Sequence, residues 1–305
     1  VPGRLLVLAA VLLAVACGGQ PPAPPGSPTS STPVPSSATA TTEPSATATP
    51  TSPAPTSPAP TSPAPTSATP TSPAPTSATP TSPAPTSATP TGLPPSLLGQ
   101  DLRVLPTTRK VVALTFDAGA NDAGLARILA ALRAEGVRAT FFVTGRFAQA
   151  YPGDVRAIVA AGHVLGNHTL THPHSTQITD AELASEVRAA AAAIRAAGGT
   201  GPEPWFRFPF GERTYDDVRL LNGLGYLCIA WTVDTLGWLG EERGTAADVT
   251  ARVLAGLRPG EIVLMHVGSN PDDGTTYDAD SLAATIAALR SRGYAFVTVE
   301  SLLGG

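Results

Sequence analysis

From Val111 onward the chain alternates short apolar runs with longer amphipathic stretches. Seven runs read as strands: VVALTF (111–116), ATFFVT (139–144), HVLGNH (163–168), WFRFPF (205–210), YLCIAWTV (226–233), EIVLMH (261–266) and AFVTVE (295–300). Several are apolar at consecutive positions, as strands buried on both faces are. Between them Ala, Leu, Ile and Val recur at helical spacing, predicting helices over about 122–135, 152–161, 180–197, 215–223, 246–257 and 279–292. Several of these begin at Asp or Thr and end near Gly, as helix caps require. Strand and helix alternating over about 200 residues imply a parallel α/β sheet, and seven strands predict a closed or nearly closed (β/α) barrel, with an open doubly wound sheet as the alternative. No Gly-x-Gly-x-x-Gly loop follows the first strand, so nucleotide binding has no support.

The residues up to Gln100 carry almost no charge and divide in two. Arg4, the apolar run LLVLAAVLLAVA and the small residues before Cys17 read as an export signal, because about a dozen apolar residues are too few to span a bilayer. The run LAVAC followed by GGQ resembles the lipobox of bacterial lipoproteins, which implies cleavage before Cys17 and its lipidation, although Ala14 stands where that box usually has leucine. An ordinary secretory signal is the alternative. Residues 18–100 are dominated by Pro, Thr, Ser and Ala, with TSPAPTSATP repeated unchanged from 61, 71 and 81. Such a segment cannot bury a core and is expected to be an extended spacer, spanning roughly 50 Å as a coil and roughly 250 Å as polyproline II. The expected organisation is a signal over 1–17, a spacer over 18–100 and a folded domain over 101–305, monomeric and tethered to the outer face of a bacterial membrane. Cys228 lies in an apolar run and reads as a buried core thiol. The net charge of −4 argues against nucleic acid as a partner.

Polar residues interrupt the apolar runs at corresponding places. Asp117 follows LTF, His168 ends LGNH, Arg207 lies in FRFPFG, Asp234 follows WTV and His266 ends VLMH. In a parallel barrel the C-terminal ends of the strands form one rim, where the chemistry sits. Five strands delivering Asp, His, Arg, Asp and His to that rim point to a site rather than to packing. The stretch GNHTLTHPH adds weight, with three of the chain's five histidines, His168 and His172 among them, in nine residues. Each residue alone has a plainer reading: a turn aspartate at 117, a core histidine at 266, a packing tryptophan at 238. His163 and His174 read as a strand start and an exposed loop.

Taken in order, TFDAG, HTLTH, RFPFG, DTLGW and LMH resemble the five motifs of the polysaccharide deacetylase family of carbohydrate esterases, over roughly residues 108–303. The resemblance implies a distorted (β/α) barrel that hydrolyses N-acetyl groups on sugars. It implies Asp117 as catalytic base, Arg207 orienting it, His168 and His172 as metal ligands, Leu264 and Trp238 as walls of the acetyl pocket, and His266 as acid. A backbone N–H near Phe210 is expected to face the oxyanion. Two positions depart from the family pattern. Ala118 stands where a third metal-binding carboxylate is usual, and Asp122 is the expected substitute, with helix N-cap as its alternative. Gly237 stands where an aspartate usually buttresses the acid histidine, and Asp234 is the expected replacement.

Two imidazoles and a carboxylate suit zinc, and also cobalt, nickel or manganese. The expected partner is an acetylated polysaccharide, with peptidoglycan N-acetylglucosamine first and chitin oligomers second. An acetyl ester hydrolase, or a wall-binding module on a degenerate barrel, are the alternatives.

Overall fold

The computed structural model describes residues 92–198 and 201–304. The signal, the lipidation at Cys17 and the spacer up to residue 91 lie outside the described residues. Nine strands form one sheet: β1 (Asp101–Leu102), β2 (Val111–Ala118), β3 (Thr140–Val143), β4 (Val164–Asn167), β5 (Trp205–Phe206), β6 (Leu227–Ile229), β7 (Val233–Asp234), β8 (Glu261–His266) and β9 (Ala295–Val297). Seven α-helices cover it: α1 (Leu125–Ala134), α2 (Gly145–Ala150), α3 (Pro152–Ala160), α4 (Asp180–Gly198), α5 (Tyr215–Gly223), α6 (Ala246–Ala255) and α7 (Tyr277–Ser291). The strands pair in the order β1-β6-β5-β4-β3-β2-β8-β7, with β9 beside the first half of β2, and every ladder is parallel. The run from β6 into β7 leaves β5 and joins β8, so the sheet curls into the distorted barrel that the family resemblance implies.

Two faces of each strand meet two different environments. On β2, Val111 and Ala113 point into an inner cluster with Phe142, Trp205, Leu227, Ile229 and Ile262. Val112, Leu114, Phe116 and Ala118 point into the outer layer, against α1 and α7 residues such as Ile128, Leu282 and Ile286. Period-two alternation then carries 115 and 117 inward. The same rule makes Ile262, Leu264 and His266 inward on β8, and Val164, Gly166 and His168 inward on β4. Gly166 is a glycine because a β-carbon there would come within 2.6 Å of the Phe142 ring, which fills the barrel interior. Asp117, His168, Arg207 and His266 therefore continue the inward registers of four different strands, beyond the point where the apolar filling stops.

Strand ends depart from expectation where local chemistry intervenes. WFRFPF pairs only at Trp205–Phe206, because Pro209 has no N–H and turns the chain into a short 3-10 segment, Pro209–Gly211. YLCIAWTV splits into β6 and β7 where it changes neighbours. The expected spacer also ends earlier than residue 100. Leu97 is buried, and Leu93 and Leu98 pack against the inner cluster with Leu102 and Leu105. Cys228 is a free, buried thiol. No helix of the described residues is long and apolar enough to cross a membrane.

Candidate active site

Asp117 and His266 are register partners on β2 and β8, which sets the two side chains next to each other at the rim. Arg207 follows β5, where its own N–H bonds Asn167 O at the end of β4. Its guanidinium is fully buried over the Phe142 ring, 4.1 Å from the centroid. It donates from Nη1 to Asp117 Oδ1 (2.8 Å), from Nε to Ile229 O (3.1 Å) and from Nη2 to Ala230 O (3.1 Å). Burial alone would raise the Asp117 carboxyl, but Arg207, with smaller help from His168 and His266, outweighs it and holds the group below the usual carboxylate range.

His168 completes the pair from the other side, its Nε2 3.4 Å from Asp117 Oδ2. Its Nδ1 lies 2.8 Å from the carbonyl of Arg207. A carbonyl can only accept, so Nδ1 carries the proton and Nε2 keeps its lone pair. Burial lowers the His168 pKa, and it drops His172 to about 4 with help from the nearby His168. Both rings are thus neutral near pH 7, the form that binds metal. Their centroids are 4.8 Å apart. The loop that carries them is pinned by Asn167 Oδ1, which accepts from Thr169 N, and by Glu186 on α4, which accepts from Leu170 N (2.9 Å) and Thr171 N (2.8 Å).

Among the described residues, four non-glycine positions have positive φ: Thr169, His172, Phe210 and Leu236. All four lie on loops at this one rim, and such strain gathers where a site demands it. Between the loops is a cleft of about 520 Å³ lined by Asp117, His168, His172 and His266 together with Phe210 and Trp238. Leu264 forms part of its floor and Asp234 part of its wall. The Phe210 ring is half-exposed, stacked 4.0 Å from His174 and edge-on to His172 at 4.5 Å.

A family model described as polysaccharide deacetylase matches residues 105–229. Over 198 residues the chain is 32% identical to the peptidoglycan-N-acetylglucosamine deacetylase of Bacillus cereus, covering 65% of this chain and 70% of that one. The chain belongs to the polysaccharide deacetylase family. This deacetylase is also 31% identical over 208 residues to a chitooligosaccharide deacetylase of Azorhizobium caulinodans, covering 66% of this chain and 97% of the relative. Its fold matches the crystal structure of the Bc1960 peptidoglycan N-acetylglucosamine deacetylase with a TM-score of 0.61 and 30% identity, over 66% of this chain and 91% of that one.

The family model ends at residue 229, and the structure carries the cleft beyond it, since Asp234, Trp238, Leu264 and His266 line the same cleft as Asp117. Two expected substitutes are not where the departures from the family pattern would need them. Asp122 is exposed beside Asp154 of α3 and does not line the cleft, because the turn after Asn121 directs it outward before α1 begins. Ala118 itself packs in the outer layer, on the opposite face of β2 from Asp117. Asp234 is occupied locally, its Oδ1 accepting from Leu236 N at 2.9 Å. The carboxylate beside His266 is instead Asp278 of α7, Oδ2 lying 3.7 Å from His266 Nδ1. Sequence reasoning missed it because the predicted helix began at 279, one residue too late to bring it into view.

Proposed function

We propose that this deacetylase is metal-dependent and removes N-acetyl groups from peptidoglycan N-acetylglucosamine, as an exported lipoprotein held at the outer face of the membrane by Cys17. The observation that carries the chemistry is the convergence of Asp117, His168, His172 and His266 on one cleft. The wall substrate is supported by the export and lipobox-like pattern ahead of the domain and by the activity of the Bacillus cereus relative. The Azorhizobium caulinodans relative favours a second reading, chitin oligomers, which present the same N-acetylglucosamine unit.

The residues fit a divalent ion in part. His168 offers Nε2 with its tautomer fixed from behind, and His172 offers a neutral ring. Among the described residues no set of three His, Cys, Asp or Glu side chains gathers as a metal cluster. Two protein donors are one fewer than the three usual at catalytic zinc. When bound, a divalent ion such as zinc supplies Lewis-acid polarisation of the acetyl carbonyl and lowers the pKa of water beside it.

Asp117, kept ionised by Arg207, takes a proton from the attacking water, whose oxygen bonds to the acetyl carbon. The C–N bond then breaks, and His266 gives a proton to the leaving nitrogen, so that acetate and a sugar amine are released. With Nδ1 turned toward Asp278, Nε2 of His266 is the atom that faces the cleft. Trp238, its ring 6.0 Å from that of His266, and Leu264 enclose the acetyl methyl.

The test incubates the full chain with acetylated wall fragments or chitin oligomers, with zinc or with chelator, and measures acetate and new amines. Equal acetate and amine with zinc, abolished by chelator and reduced about a hundredfold or more by Asp117→Asn, is the expected result. Acetate without amine means ester hydrolysis; retention on the polymer with neither product means a binding module. Undiminished turnover by Asp117→Asn removes the base assignment.

A further inference from the structure

We infer that Asp278, the second residue of α7, is the positioning carboxylate of the acid histidine, supplied from a different element in the space left by the glycine at position 237. The inference rests on the reading of His266 as the acid. Asp278 is 3% exposed, and its two oxygens have distinct duties. Oδ1 accepts from the Thr235 hydroxyl at 2.6 Å, while Oδ2 accepts from the His266 backbone N–H at 2.8 Å and lies 3.7 Å from Nδ1 of the same residue. Nδ1 is buried with no hydrogen-bond partner, so Oδ2 is the acceptor that a small rotation of the protonated ring would reach.

Gly237 explains why the carboxylate comes from α7. A β-carbon placed on Gly237 would fall 2.7 Å from the carboxyl carbon of Asp278 and 3.0 Å from Oδ2. The backbone of Gly237 is not in the left-handed region, so space rather than conformation forbids a side chain there. A side chain at 237 would therefore push the Asp278 carboxyl out of the place it holds beside His266.

Three carboxylates from three elements surround His266: Asp117 of β2, Asp234 of β7 and Asp278 of α7. Asp117 is committed to Arg207 and Asp234 to Leu236 N, leaving Asp278 to orient the ring. A merely structural brace of the α7 N-terminus would serve the His266 backbone alone. A positioning group also sets the direction and basicity of the imidazole.

The experiment uses the full chain with zinc and chitin oligomers. Asp278→Asn is expected to lower kcat on the order of tenfold to a hundredfold with KM little changed, and to move the alkaline limb of the kcat profile to lower pH. Gly237→Asp alone, forced against Asp278, is expected to lose activity. The double variant Gly237→Asp/Asp278→Gly, which moves the carboxylate back to position 237, is expected to recover most of the kcat and of the alkaline limb. Parental kcat and pH profile in a folded Asp278→Asn variant would overturn the inference, as would a folded double variant no better than Asp278→Asn. His266→Ala turning over at the parental rate would instead remove the acid assignment itself, so the two failures are distinct.

Discussion

Arg207 shows how a single side chain can tie a fold to its chemistry. A guanidinium removed from water is costly unless its donors are satisfied, and here they reach one carboxylate and two carbonyls while the plane lies on Phe142. The carbonyls belong to the last residue of β6 and the one after it, so the charge that keeps Asp117 ionised is itself positioned by the sheet. Arg207→Met would leave Asp117 buried without its main counter-charge, a change worth about 3–5 kcal/mol. At roughly 2–4 °C per kcal/mol for a domain of this size, thermal denaturation should fall by about 10 °C. With that counter-charge gone, burial pushes the Asp117 carboxyl upward, so the acidic limb of the activity profile should move to higher pH. A variant with parental melting and an unmoved acidic limb would show that Asp117 is held by something other than this contact.

At the scale of elements, periodicity made most of the architecture legible. β8 and α5 occupy the residues the pattern predicts, and the five other predicted helices lie within three residues of their predicted ends, because apolar spacing and caps such as the Thr214–Asp217 and Thr245–Asp248 boxes act together. The same inward register that fills the barrel with Ala113, Phe142 and Ile262 also delivers the site, so strand ends were enough to find Asp117, His168, Arg207 and His266. What escaped lacks such a signal. β1 has two residues and no period, α2 is six residues long, and Asp278 acts across a helix N-terminus whose partner is 12 residues away. Asp122 misled because sequence proximity to Asp117 says nothing about which way a turn sends a side chain. Glu261, at the opposite end of β8 from His266, was also silent in the sequence. It is fully buried, with Oε2 accepting from Arg258 N and Oε1 unpartnered. Burial, only partly offset by that bond and by the Arg258 charge, pushes its carboxyl up from 4.5 to about 7. The unfolded chain therefore ionises first as pH rises, and the folded state loses stability between about pH 4.5 and 7, by up to about 3 kcal/mol, with no further loss above that window. Glu261→Gln should melt several degrees higher than the parent at pH 8 and at an equal temperature near pH 4. Equal melting at both pH values would mean that Glu261 is already ionised at little cost in the fold.

For the molecule as a whole, closure of the barrel depends on residues ahead of the first long strand, one of them, Leu97, in the segment that composition assigns to the spacer. Leu97, Leu102 and Leu105 are buried in the inner cluster, and burying three such side chains contributes about 4–9 kcal/mol, comparable to the whole stability of an ordinary domain. The segment also reaches the site. Ala230 N donates to Leu102 O at 2.9 Å, and the carbonyl of the same Ala230 receives Nη2 of Arg207. β1 therefore braces the backbone that holds the arginine that holds the base. A chain starting at Gly92 is expected to melt and to turn over chitin oligomers like the full chain, because every contact just named is present in it. A chain starting at Thr107 lacks all three leucines and β1; it is expected to melt at least about 10 °C lower, and whatever folds should show reduced kcat, since Ala230 loses its partner. If the shorter chain instead melted within a few degrees of the full chain and kept its kcat, the barrel would close without β1, and the folded domain would begin where the first long strand does.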